Sequence, residues 1–243
     1  MKLIGHVFVA VEAFPDRNQN LLAFGSLLPE TVSYTKNPAL AFQQIHEGCF
    51  ELYKFCKQNY PEFVDLSIGT MAHSVKFGAD SYNTHEEIAR LGYTQDDLPK
   101  IAEALEVSLD RAKGAAHNLY DLALDYYIYQ RHPEVKGIIE NTKTLDKTKI
   151  AKILAECYLA SEPAINDNLD HLWDKYNLSL MESFEGLAKF WKLLVSGTKH
   201  DDPVNVPKTA ALLEFFYNKL EPEAESFVED VIESTKIRVS GAI

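Results

Sequence analysis

The chain predicts an all-α fold: a multi-helix bundle with a metal site between helices of its N-terminal half. Three observations carry this expectation. Apolar residues recur at i, i+3, i+4 and i+7 through most of the sequence. Alternating strand patterns are scarce. Four histidines with acids nearby fall on faces that should be apolar, all before residue 125.

Taken in order, the first element is the apolar run HVFVAVEAF from His6, which fits a buried helix or, by its alternation, a strand. The all-α reading counts it as helix. FGSLLPE, residues 24–30, reads as a loop in which Gly25 and Pro29 fix the backbone and leave Glu30 at an element's edge. Helical periodicity then marks 38–58, 66–80, 97–106 and 108–131. Thr84 with Glu87, and Thr94 with Asp97, have the spacing of N-terminal caps. The stretch 131–147, RHPEVKGIIENTKTLDK, contains Pro133, Gly137 and a polar cluster, and closes the long helix before it. It is the best internal boundary. Residues 1–133 form a metal-binding helical core, and 134–243 a helical extension that is either a second domain or continuous with the first. In the extension the periodic stretches are 147–160, 165–196, 207–219 and 221–236, with Pro163 and Pro207 near first-turn positions.

A chain of 243 residues can bury a core without disulfides or a structural metal. Its net charge of −12 and lack of a Lys/Arg cluster argue against a nucleic-acid partner. No run of ~18 apolar residues exists for stable membrane insertion. The opening MKLIGHVFVAVEAFPD is broken by His6 and Glu12 and lacks a small-residue cleavage site, so it is not read as a signal peptide. Cys49, Cys56 and Cys157 are odd in number and form no CxxC pair, so they read as small core hydrophobes. The expectation is a cytoplasmic protein, with self-association left open.

The chemistry is in the histidines. His6 lies in an apolar run; His46 has Phe42, Cys49, Phe50 and Tyr53 as helical neighbours; His73 shares a face with Gly69 and Phe77; His117 shares one with Asp121 and Leu124. His132, His171 and His200 lie among polar residues or at helix ends, and His85 fits either setting. One inward histidine is ordinarily a satisfied core residue. Four with nearby acids are another matter, because burying several imidazoles and carboxylates without partners costs a few kcal/mol each. A shared metal resolves that cost. Nitrogen and oxygen donors without thiolate suit catalytic zinc, or manganese or iron, rather than structural zinc. His117 and Asp121 stand at i and i+4, about 6 Å apart along a helix, and can reach one ion. His73 and Asp80, at i and i+7, would lie roughly 10.5 Å apart. Either Gly78 loosens that helix or the two residues serve neighbouring ions. Glu30 completes the set, or else is simply a first-turn acid of the next helix.

The order of parts (His6, GSLLPE, IHEGCF, IGTMAHSVKFGADSYNTH, AHNLYD) resembles the zinc-dependent phospholipase C family over residues about 4–125. The resemblance implies an all-helical fold, a cluster of two or three zinc ions, and ligands at His6, Glu30, His46, His73, Asp80, His117 and Asp121. It implies that Glu30 also assists the attacking water. Where the family's aspartate follows the GxxxH histidine by four, this chain has Phe77, and Asp80 stands three further on. Two other groups are similar in outline. HD-domain phosphohydrolases use an adjacent His-Asp pair, to which His46-Glu47 is the nearest string. The acyl carrier protein phosphodiesterases share an early histidine and the run Asn20–Phe24. The expected function is therefore metal-dependent hydrolysis of a phosphomono- or phosphodiester, on a small-molecule or lipid-like substrate. Glu30 or Asp80 takes the proton of water, Lys76 contacts substrate, and His85 serves as leaving-group acid. The alternative is an inactive helical binding or scaffold protein. A di-iron bundle is not expected, because no Glu-x-x-His occurs.

Overall fold

The computed structural model describes residues 2–196 and 203–243. His200 lies outside the described residues. Among the described residues, thirteen α-helices with short 3-10 and π turns between them make up the fold, and no strand occurs. No helix among the described residues is long and apolar enough to cross a membrane.

Helix α1 (Leu3–Ala13) is buried along its whole length apart from Glu12. A helix surrounded on every side needs no amphipathic stripe, which is why its sequence suited helix and strand alike. Its first turn is capped from far away in the chain. Asp125 accepts hydrogen bonds from the backbone N–H groups of Lys2 (2.9 Å), Ile4 (2.8 Å) and Gly5 (3.1 Å).

Helix α2 (Gln19–Leu27) follows the Asn18 cap, and α3 (Glu30–Tyr34) follows almost at once, so FGSLLPE is the end of one helix and the start of another rather than a loop. A π turn (Gln43–Glu47) and α4 (Cys49–Asn59) replace the single helix expected over 38–58. Helix α5 (Val64–His73) crosses α2 backbone to backbone. A Cβ on Gly25 would stand 1.9 Å from the Leu66 carbonyl oxygen, and one on Gly69 2.1 Å from that of Leu22. Only glycine at both positions permits that approach.

The expected helix 66–80 stops at His73. Beyond Ser74 the chain folds back, and Asp80 sits in a 3-10 turn (Ala79–Tyr82). Helices α6 (His85–Arg90), α7 (Leu98–Leu105) and α8 (Leu109–Arg131) follow, with the Thr84 cap and the Thr94–Asp97 capping box both formed.

The stretch 131–147 holds a further helix, α9 (Glu134–Thr142), packed on α1 and α2. Next come α10 (Lys147–Tyr158), α11 (Glu162–Lys175) and α12 (Phe184–Val195). The long helix expected over 165–196 is broken by residues 176–183. The two helices expected at 207–219 and 221–236 are one, α13 (Val206–Ala242), which runs through an exposed Pro222. Proline inside a helix forfeits a hydrogen bond. Buried Leu220 and Ala224 on either side hold this one together. Helix α13 lies against α1, α5, α7, α8 and α12, so residues beyond 133 pack directly on those before it.

Candidate metal centre

His6 projects from the second turn of α1, Glu30 from the first residue of α3, His46 from the π turn, His73 from the last residue of α5 and Asp80 from the 3-10 turn. The three histidines and Glu30 are at most 4% exposed. A π turn is a rare element that recurs at functional sites, where the extra residue per turn re-aims a side chain. Gly78 performs the matching service for Asp80. A Cβ there would stand 1.9 Å from the Ala72 carbonyl oxygen, so the fold-back that returns Asp80 to His73 needs glycine.

The ligand atoms face one another without hydrogen bonding. His6 Nε2 is 3.8 Å from Glu30 Oε1 and 3.7 Å from Asp80 Oδ1. The Nε2 atoms of His46 and His73 are each 3.8 Å from Asp80 Oδ2. Hydrogen bonds are shorter; ligands held ~2.1 Å from one ion lie roughly 3–3.5 Å apart. Two groups meet that condition loosely, His6–Glu30–His73 and His46–His73–Asp80, with the ligand atoms in each within 4.8 Å of one another. Asp80 turns one oxygen toward His6 and the other toward His46 and His73.

The imidazoles are prepared for such a role. His73 Nδ1 lies 2.7 Å from the Ser26 carbonyl oxygen, which can only accept, so Nδ1 carries the proton and Nε2 keeps its lone pair toward the cavity. The α2–α5 crossing sets that contact. The His6 ring stacks on His73 with centroids 3.7 Å apart, and Phe42 stacks on His46 at 3.9 Å. The Nδ1 atom of His6 is buried with no hydrogen-bond partner among the described residues. Burial, aided by the neighbouring His73, holds His6 well below the ordinary histidine range and His46 down to about 3. Burial likewise lowers His73, against the pull of Asp80 and the Ser26 bond. All three are neutral, the state in which imidazole ligates. Burial pushes the Glu30 carboxyl up to about 8, with Lys2 pulling the other way. These donors fit a divalent cation: three neutral imidazoles, two carboxylates and no thiolate.

Five of the seven expected ligands thus converge. The other two, His117 and Asp121, belong to neither group. His117 lines the same cavity, its ring 6.3 Å from that of His85, and burial lowers it to about 4 against the pull of Asp121. Asp121 Oδ2 stands 3.7 Å from Lys2 Nζ. Their i, i+4 spacing is real, but it orders a face of α8 and says nothing of what that face meets. His73 and Asp80 are not on one helix, and the 10.5 Å spacing does not arise. Lys76 is exposed, its ammonium 5.0 Å over the Phe77 ring, and does not line the cavity. The lysine at the site is Lys2, buried and on the cavity wall. Burial disfavours its ammonium, but Tyr34, Asp121, Glu30 and Asp80 outweigh that and hold its pKa above the ordinary lysine value. Lys2 and Asp125 are the residues that sequence reasoning missed.

The cavity measures about 370 Å3, with Phe42, Val75 and Trp191 among its apolar walls and Asn83, Thr84 and Asn118 among its polar ones. No protein-family model matches the chain, and no curated protein or solved structure is significantly similar to it.

Proposed function

We propose that the protein is a metal-dependent hydrolase of phosphoesters, with His6, Glu30, His46, His73 and Asp80 holding one or two divalent ions, zinc first and manganese or iron next. What supports this reading is one observation. Three neutral imidazoles and two carboxylates from five separate elements face each other without bonding to each other. Left without an ion, such a cluster carries a large desolvation cost with no return. Bound divalent ions supply acidified water and charge stabilisation at the phosphoryl oxygens. The protein's own contribution is to hold Glu30 Oε1 beside that water as proton acceptor and to orient the imidazoles through Ser26 and the ring stacks. His117, on the cavity wall with His85 next to it, faces the leaving-group side. A cytoplasmic setting is part of the proposal and agrees with three free cysteines.

The test is elemental analysis of tag-free protein purified without chelator, for wild type and His46→Ala/His73→Ala. One or two equivalents of zinc, manganese or iron in the wild type, lost in the double variant, are expected, together with turnover of a chromogenic phosphoester. Metal-free wild-type protein that binds no added zinc or manganese would leave a helical binding protein instead.

A further inference from the structure

We infer that Arg238, near the C-terminal end of α13, is a positioning residue for the metal centre. It latches the turn that carries Asp80, and so sets how tightly His46, His73 and Asp80 share an ion. The inference rests on the metal ligation proposed above and extends it to a residue remote from the ligands in sequence.

Asp80 is the ligand that needs such support. Its side chain is 13% exposed, where those of His6, Glu30, His46 and His73 are at most 5%. It stands on a four-residue 3-10 turn, an element whose own hydrogen bonds are poorly aligned. Short segments of this kind open more readily than the helices around them. A ligand that swings out leaves the ion with fewer partners, so the apparent affinity scales with the fraction of time the turn is in place.

Two sets of contacts hold that turn. From within, Asn83 Nδ2 donates to Asp80 Oδ1 at 3.2 Å, and Asn83 N–H donates to the Asp80 carbonyl oxygen at 3.2 Å. The side-chain bond fixes the carboxylate, with Oδ1 toward His6 and Oδ2 toward His46 and His73. From outside, α13 grips the turn with a side chain 157 residues away in sequence. Arg238 Nη1 donates to Ser81 Oγ at 2.7 Å, and Ser81 Oγ donates its own proton to the Gly78 carbonyl oxygen at 2.8 Å. The hydroxyl thus relays the hold of the guanidinium to the residue at which the chain folds back against Ala72. The same guanidinium lies 5.6 Å over the Tyr82 ring, which meets Phe227 of α13 edge-on at 5.9 Å. One arginine therefore touches both residues that follow Asp80.

Arg238 is itself exposed, and exposed contacts contribute little to global stability. Their effect is local, which separates positioning from a merely structural role. Losing Arg238 weakens ion binding while Tm hardly moves. Arg131 offers a matched comparison. It reaches Glu221 of α13 at 3.4 Å and lies 5.2 Å over the Tyr127 ring, so its partners are on α13 and α8 rather than on the turn.

The test uses the full chain, stripped of metal and titrated calorimetrically with zinc, with Tm measured on the metal-free protein. Arg238→Ala is expected to weaken zinc binding about 3- to 10-fold, the range of one partly exposed charge-assisted hydrogen bond. Its metal-free Tm should stay within about 2 °C of wild type. Arg131→Ala should leave zinc affinity unchanged, and Arg238→Lys should recover part of the loss. Ser81→Ala should weaken zinc binding too, and Ser81→Ala/Arg238→Ala no more than Arg238→Ala alone, because both cut one chain of contacts. Zinc affinity in Arg238→Ala within twofold of wild type, or an equal loss in Arg131→Ala, overturns the inference and leaves the metal centre standing. Wild-type protein that binds no zinc overturns both. Should Arg238→Ala fail to fold, Ser81→Ala decides: weakened zinc binding supports the latch, and wild-type affinity overturns it.

Discussion

Asp125 takes no part in the ligand groups, yet the positions of Lys2 and His6 depend on it. Its carboxylate accepts three backbone N–H bonds at the start of α1, and burial pushes it up to about 6 despite them. The first N–H groups of a helix have no partners within it, and these are buried where water cannot substitute. Asp125→Ala leaves three such groups unsatisfied. We expect a loss of roughly 3–5 kcal/mol, read as a fall in Tm of about 6–20 °C for a chain of this size. Loss of metal affinity should accompany it, since His6 rides on the same turn. A Tm within a degree of wild type would show that the cap is dispensable. At this scale the sequence was legible where a polar side chain broke an apolar face: His6, His46 and His73. Glu30 stood out more weakly, as an acid at an element's edge. It was not legible for Asp125, whose partners are backbone groups about 120 residues away. Nor was it for Lys2, because a leading lysine is by default a solvated one. Ser26 acts through its carbonyl, which every residue has.

Among the elements, the fold-back after α5 matters most to the site. Helical periodicity runs from 66 to 80 because Phe77 and Ala79 pack inward as a helix would have them, and nothing in that pattern signals a break. The break is tertiary. Residue 78 lies so close to Ala72 that any side chain meets its carbonyl. Gly78→Ala is therefore expected to push the 79–82 turn outward, costing about 2 kcal/mol or more. It should carry Asp80 away from His46 and His73. Calorimetric titration with zinc should show a weakening larger than the fall in stability explains. Unaltered zinc affinity would mean that the turn relaxes without moving Asp80. The same logic separates the elements that were readable from those that were not. Amphipathic helices such as α7, with one wet face and a capping box, are written in local pattern. Helix α1, buried all round, is not. Helix α13 continues through Pro222 because packing at Leu220 and Ala224 outweighs one missing hydrogen bond, a contest that local sequence cannot score.

For the whole molecule, the site couples folding to ions and protons, and the signs can be worked out. His46, lowered to about 3, and His117, lowered to about 4, are neutral in the fold but take up protons near pH 6.5 when unfolded. Below pH 6.5 the unfolded chain binds more protons, so stability falls with falling pH until those folded values are reached. Glu30 works the other way. Raised from 4.5 to about 8, it holds a proton in the metal-free fold that the unfolded chain has released, so stability falls as pH rises from 4.5 through 8. A divalent ion replaces that proton and removes the alkaline loss. Ion binding therefore stabilises by mass action, and more so at higher pH. Scanning calorimetry of protein with excess zinc and of chelated protein, at pH 5.5, 7.0 and 8.5, should show a Tm gap that widens steadily with pH. A gap that is constant across the range would mean that ions bind without displacing protons from Glu30. No gap at any pH would mean that the five residues fold around no ion at all.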